Sequence, residues 1–200
     1  KKINYSHGIV DFNKEFNRAS FFELLDNYSS VKISKMSQIE IHKILKKENV
    51  DINKNIGYGK MLDKAFSYFV EPELIDPTFV TDYPIELSPL AKVKRDSDGK
   101  LVERFELFIN GMEIANAFSE LNDPLEQKKR FEEQMKLKEL GDNEAQLVDL
   151  DFLEAIETGM PPTGGVGIGI DRLVMIFTNQ HSIKDVILFP AMRNEITKNK

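Results

Sequence analysis

The sequence predicts an α+β fold, an antiparallel sheet with helices packed around it, and three observations carry that prediction. Arg104 to Ile109 and Met112 to Phe118 are two strand-like runs joined by Asn110-Gly111, a pair that tolerates the positive φ angles of a tight type I′ turn. Ser20 with Glu23, Ser37 with Glu40, and Asp123-Pro124-Leu125-Glu126 mark helix starts, because each supplies an N-cap oxygen and a glutamate reaching back to the free amides of the first turn. Thr78 to Tyr83 is rich in β-branched and aromatic residues and is bounded by Pro77 and Pro84, as an extended strand should be.

The remaining elements follow in chain order. After Ser37, Ile41, Ile44 and Leu45 fall at helical spacing, which predicts a short helix from about Gln38 to Lys47. Met61, Leu62, Ala65, Phe66 and Phe69 recur at three- and four-residue steps, so a further helix covers Lys60 to Val70 with its apolar stripe facing the core and Pro72 beyond its end. Lys94 to Lys100 is polar and turn-prone and reads as a surface loop. The helix opened by Asp123 runs to about Leu140 and is ended by Gly141, and Leu150, Phe152, Leu153, Ile156 and Met160 predict another. The chain closes with glycine-rich Gly164 to Gly169, a helical Asp171 to Phe177, and an apolar Val186 to Pro190. No internal repeat is visible, and no boundary forces two domains.

Composition narrows the function classes. At 200 residues, 41% hydrophobic and 30% charged, the chain suits one sizeable domain and is too polar for a membrane protein. No stretch approaches the roughly 18 consecutive apolar residues of a spanning helix, and Lys1 to Tyr5 lacks the apolar core of a signal peptide. With no cysteine, thiol catalysis, cysteine-ligated zinc and disulfides are excluded, which suits a cytoplasmic location. A net charge of -6 argues against this chain being the main nucleic-acid-holding surface, since phosphate neutralisation needs a basic face. The lysines at 43, 46 and 47 and at 128, 129, 136 and 138 sit among glutamates on predicted helices, where solvated faces explain them.

Three groups of residues have the chemistry of a site. Across a two-residue Asn110-Gly111 loop Phe108 faces Glu113, so Glu106 lies diagonal to Glu113 on one surface. Two carboxylates so placed repel unless a cation lies between them, and hard oxygen ligands suit Mg²⁺ bound together with nucleotide phosphates; spacing alone favours the plainer reading of two exposed glutamates on a solvated strand. Asn116, Phe118 and Glu120 alternate and share one face, a set able to recognise a small polar cation, although pattern alone again favours a mixed strand with one core phenylalanine. Strict alternation puts Asn116 on the opposite face from Glu113, so either the two sets serve different surfaces or a β-bulge between them brings them together. Gly164 to Gly169 allows close backbone approach to a ligand, and Arg172 begins the following helix, where amide donors and the dipole favour anions. This stretch is neither the dinucleotide fingerprint nor a Walker loop, and glycines used only for packing explain it about as well.

Together these segments resemble the class II aminoacyl-tRNA synthetases, whose third signature motif is a glycine-rich strand followed by a helix that starts with an arginine. Here it reads GMPPTGGVGIGIDRLVMIF, with Arg172 in the arginine's place. NGMEIANAFSELNDP, TDYPIELSPLAK and RFELFI are similar to the lysyl-tRNA synthetase branch and not to its aspartate or asparagine relatives, and weaker similarity runs from Ile3 to the end. The resemblance implies a partial class II catalytic core in which Glu106 and Glu113 hold Mg²⁺ and ATP and Arg172 contacts ATP as the catalytic arginine. It also implies that Asn116, Phe118, Glu120 and Gly165 line the lysine pocket, with Glu120 opposite the substrate's ε-ammonium. The implied reaction is attack of the lysine carboxylate on the α-phosphorus of ATP, releasing pyrophosphate, and then transfer of lysine to tRNA(Lys). It calls for no catalytic role from His7, His42 or His181.

The resemblance further implies that residues 1–200 are the C-terminal portion of the catalytic domain of a cytoplasmic homodimer. The first two class II motifs and the anticodon-binding domain are expected before Lys1, in keeping with a start that is not methionine, and the 200-residue chain alone is expected to be inactive. Two rival readings share the motifs: an enzyme of this fold that attaches lysine or a lysine analogue to a translation factor, and a non-catalytic lysine- or nucleotide-sensing module. Gly165 and Gly167 favour the tRNA enzyme over the first, and the retained Glu106, Glu113 and Arg172 count against the second.

Overall fold

A computed structural model describes residues 1–6, 8–52, 56–141 and 147–191; His7 lies outside them. The chain opens with β1 (Lys2–Tyr5) and β2 (Gly8–Asp11), an antiparallel pair, followed by β3 (Asn17–Ser20). Three helices come next: α1 (Phe21–Tyr28), α2 (Gln38–Lys47) and α3 (Tyr58–Phe69). Both predicted capping boxes are present, Ser20 with Glu23 and Ser37 with Glu40. β4 (Thr78–Thr81) then leads to the hairpin of β5 (Arg104–Ile109) and β6 (Met112–Ser119), where Asn110 and Gly111 hold φ values of 52° and 75° as a type I′ turn demands. α4 (Pro124–Glu139) is capped by Asp123, whose carboxylate accepts from the amides of Leu125 and Glu126. α5 (Leu150–Glu157), β7 (Gly164–Ile168) and α6 (Ile170–Thr178) complete the named elements.

The main sheet runs β3-β4-β5-β6-β7. β4 to β7 are antiparallel, as expected, but β3 lies parallel to β4. A parallel pair needs a long crossover, and α1, α2 and α3 provide it. These helices pack Phe21, Leu25, Leu45, Leu62 and Phe66 with Val80 and Phe108 of the sheet into one core. A second core holds Ile3, Tyr5 and Val10 of the first hairpin with Ile109, Ile114 and Ile176, tying β1, β2 and α6 to the sheet.

Gly59 on α3 shows how tightly the crossover is fitted. A Cβ built there would lie 2.6 Å from the backbone oxygen of Glu86, which has no side-chain freedom to retreat. Alanine in a helix normally stabilises relative to glycine by up to about 1 kcal/mol. Here Gly59→Ala is expected to destabilise the fold by about 1–3 kcal/mol, the usual cost of overpacking, read as a lower urea midpoint at unchanged slope.

Candidate active site

The hairpin register decides which side chains meet. Ile109 pairs with Met112 and Phe108 with Glu113, but Leu107 pairs with Ala115 and Glu106 with Asn116, so the ladder skips Ile114. Two residues of β6 thus oppose one of β5, a β-bulge, and Ile114 drops into the second core. Without the bulge Glu113 and Asn116 would face opposite ways; with it they share the face of Glu106. Of the two arrangements the sequence leaves open, the structure adopts the second.

Across the sheet, Val80, Glu106, Asn116 and Gly167 stand in one row, and Arg104, Phe118 and Gly165 in the next. Glu120 follows Phe118 by two residues and lies beside Gly165, where a Cβ would overlap its carboxylate. Glycines at 165 and 167 leave the face bare opposite Phe118 and Asn116, so the floor of the site is backbone. The row Thr81, Phe105, Ala117 and Val166 points to the other face and lines an open groove of about 1180 Å³, which Arg104, Phe118 and Gly165 of the neighbouring row also border.

Each carboxylate has its own surroundings. Glu106 is 8% exposed; its Oε2 accepts from the Tyr83 hydroxyl at 2.6 Å and its Oε1 pairs with the Arg104 guanidinium. Burial pushes its carboxyl up, partly offset by the Arg104 charge and the Tyr83 bond, and the Glu113 charge adds to the rise. Tyr83 is pushed well above the usual phenol range, first by burial and then by Glu106. Arg104 lies over the Tyr83 ring, 4.6 Å from its centroid, and its Nε donates to Asn116 Oδ1 at 3.2 Å, so one guanidinium orients both a predicted metal ligand and a predicted pocket amide. Arg172, in the first turn of α6, donates from Nη1 to the Glu113 backbone oxygen at 2.5 Å and sits 3.7 Å from the Glu113 carboxylate. Glu120 is half-buried, burial alone pushes its carboxyl up, and no hydrogen bond or ion pair among the described residues engages it.

Glu106, Glu113, Asn116, Phe118, Glu120 and Gly165 therefore meet on one face, with Arg172 at its Glu113 end. Three neighbours were not foreseen. Arg104 was within reach of sequence reasoning, since alternation from Glu106 puts it on the same face. Tyr83 and Glu71 arrive through the fold; Glu71, in the short 3-10 turn after α3, is pushed up by burial and further by the charges of Asp63, Glu106 and Glu113. The mutual repulsion of Glu71, Glu106 and Glu113 is chemistry that suits a hard cation. Among the described residues no three metal-ligating side chains group closely enough to hold one alone, and Mg²⁺ usually takes one or two carboxylates plus substrate phosphates.

A glycine-rich strand feeding an arginine at a helix start, beside a strand pair bearing carboxylates, is the pattern the sequence resemblance led us to expect. The family model for tRNA synthetases class II (D, K and N) matches residues 1–193. The chain belongs to this family. Among other class II tRNA synthetases, it is 47% identical over 194 residues to a lysine-tRNA ligase of Porphyromonas gingivalis, covering 97% of this chain and 33% of that protein. The lysine-tRNA ligase of a second strain of that species is 49% identical over 187 residues, covering 94% of this chain and 32% of that protein. The chain thus spans about a third of the length of the curated relatives it matches. Its mixed α and β architecture agrees with the predicted fold class, and no helix among the described residues is long and apolar enough to cross a membrane.

Proposed function

We propose that the full-length protein is a lysine-tRNA ligase, which uses ATP to activate lysine as lysyl-adenylate and then transfers the lysyl group to tRNA(Lys). The observation that carries this reading is the Glu120 carboxylate, half-buried, desolvated and without a partner among the described residues, at the end of a face bearing an amide, an aromatic ring and bare glycine backbone. A desolvated carboxylate favours a cationic ligand, and a neutral side chain there would leave the charge unpaired. The relatives' name points to the same substrate.

In this reading Glu120 binds the lysine ε-ammonium, Phe118 packs on its aliphatic stem, Asn116 offers its amide to the polar end, and Gly165 leaves room beside them. Glu106, Glu113 and Arg172 hold ATP, and Glu106 and Glu113 would hold Mg²⁺, which would neutralise charge on the phosphates. The lysine carboxylate oxygen attacks the α-phosphorus and the bond to pyrophosphate breaks. Positioning and charge neutralisation carry that step, and no protein acid or base is required. With a net charge of -6 on this chain, most of the tRNA is held elsewhere in the protein. The same reading makes residues 1–200 the C-terminal portion of the catalytic domain of a cytoplasmic homodimer, with the first two class II motifs and the anticodon-binding domain in the remaining two thirds.

ATP-pyrophosphate exchange by the full-length protein with each amino acid in turn tests this reading. Lysine should support exchange above all others. Exchange with none would favour a lysine- or nucleotide-sensing module, and exchange with lysine but no charging of tRNA(Lys) would favour modification of a translation factor. A pH dependence should accompany the activity. Because burial raises the Glu120 carboxyl, it protonates at a higher pH than an ordinary glutamate while the ε-ammonium stays charged. The KM for lysine should therefore climb on acidification from above the usual carboxylate range, and that climb should vanish in Glu120→Gln.

A further inference from the structure

α4 buries three residues, Gln127, Arg130 and Phe131, and two of them are polar. Gln127 is 0% and Arg130 4% exposed. Arg130 Nε pairs with Glu126 Oε1 at 3.1 Å on the same helix, and the other bonded donors of the two side chains go to the turn that follows Leu87. Gln127 Nε2 donates to Pro89 O at 3.1 Å, and Arg130 Nη1 donates to Ser88 O at 3.3 Å and Ala91 O at 2.6 Å. Three carbonyls of one short turn are thus held by two side chains on neighbouring positions of one helix face. The arrangement is a cost to folding, since Gln127 Oε1 and Arg130 Nη2 are buried without a partner among the described residues. Packing alone would favour an apolar pair.

The far side of the same turn touches the substrate face twice. Its fourth carbonyl, Leu90 O, accepts from the amide of Leu121 at 2.9 Å, the Lys92 amide donates to Ser119 O at 2.8 Å, and Ala91 bridges Glu120 in antiparallel fashion. Backbone on both sides of Glu120 is therefore fixed by this turn. Arg104 Nη1 donates to Leu87 O at 2.9 Å and to Ser88 Oγ at 2.8 Å, while its Nε holds Asn116. The turn at residues 87–91 joins α4 to Glu120 and, through Arg104, to Asn116.

We propose that Gln127 and Arg130 are positioning residues for the amino-acid pocket: by pinning the carbonyls of Ser88, Pro89 and Ala91 they hold Glu120 in register. The role of that pocket rests on the proposed function; the brace itself rests on the contacts above.

Gln127→Met in the full-length protein separates a positioning role from a structural one. Methionine fills similar space and removes the unsatisfied Oε1, so the melting temperature should be unchanged or raised. The tether to Pro89 is lost, however, and the KM for lysine should rise about tenfold with the KM for ATP within about twofold, as small misplacements of binding groups do. Arg130→Lys, which keeps the charge but cannot span two carbonyls, should shift the same constant further. Hydrogen exchange gives a readout independent of substrate. The Lys92 and Leu121 amides should exchange faster in Gln127→Met than in wild type, while amides within α3 do not change. A folded Gln127→Met protein with wild-type lysine KM, or with lysine and ATP constants moving together, would overturn the proposal. Unchanged Lys92 and Leu121 exchange would overturn the brace whichever amino acid the enzyme uses, whereas wild-type exchange activity with another amino acid would overturn only the proposed function.

Discussion

Glu120→Gln in the full-length protein should raise the KM for lysine by about 30- to 100-fold, or about 2–3 kcal/mol, with the KM for ATP little changed. Truncating one member of a buried hydrogen-bonded charge pair costs roughly 2–5 kcal/mol, much of it the penalty of leaving the other charge unpaired. Glu120 is only half-buried, so the lower part of that range applies. Stability should move the other way. Burial raises the Glu120 carboxyl in the folded chain above its unfolded value, so the folded state binds that proton more tightly. Its contribution is most favourable at low pH and falls as pH rises from the ordinary carboxylate range toward the raised value. At neutral pH the charge opposes folding, and glutamine should leave the melting temperature equal or slightly higher. A variant that lost both lysine affinity and stability would point to a structural role for Glu120 instead.

Gly165→Ala should have the second-largest effect, about 10- to 100-fold on the lysine KM, for a geometric reason. Its Cβ would overlap the Glu120 carboxylate. That carboxylate ends a flexible side chain, so the chain can rotate away and the fold should lose no more than about 1 kcal/mol. Rotation, however, removes the carboxylate from the position that faces the substrate. The contrast with Gly59 is informative: there the obstacle is the Glu86 carbonyl, which cannot rotate away, and the loss should appear in stability. Measuring denaturation midpoints and lysine constants for both variants separates the two outcomes, and a destabilised Gly165→Ala with normal lysine binding would contradict the proximity argument.

The parts of the fold legible in the sequence were those written in local chemistry. α2 spans Gln38–Lys47 as its cap and periodicity predicted, the Asn110-Gly111 turn is type I′, and Asp123 caps α4. β1, β2 and β3 were not anticipated, because each is four residues long: Lys2–Tyr5 alternates over too short a run to stand out, and Asn17–Ser20 carries a single apolar residue. The parallel pairing of β3 with β4 joins residues about sixty apart and has no local signature.

The candidate site divides along the same line. Its members could be named from residue type and family motif, but whether Glu113 and Asn116 share a face depended on a bulge that Glu113-Ile114-Ala115-Asn116 does not announce. Ile114 leaves the ladder because the second core receives it, which is a tertiary cause. Arg104 shows the limit differently: alternation puts it beside Glu106, yet only the fold reveals that the same guanidinium also reaches Asn116, Leu87 and Ser88. Tyr83 and Glu71 enter the Glu106 environment entirely through packing.

The most direct test of the account is a crystal structure of the full-length protein with lysine bound. The account predicts the ε-ammonium at the end of β6, within about 2.7–2.9 Å of a Glu120 carboxylate oxygen as a charge-assisted hydrogen bond requires, with the aliphatic stem against Phe118. Lysine seated elsewhere, or its ammonium held by another carboxylate while Glu120 faces solvent, would contradict it.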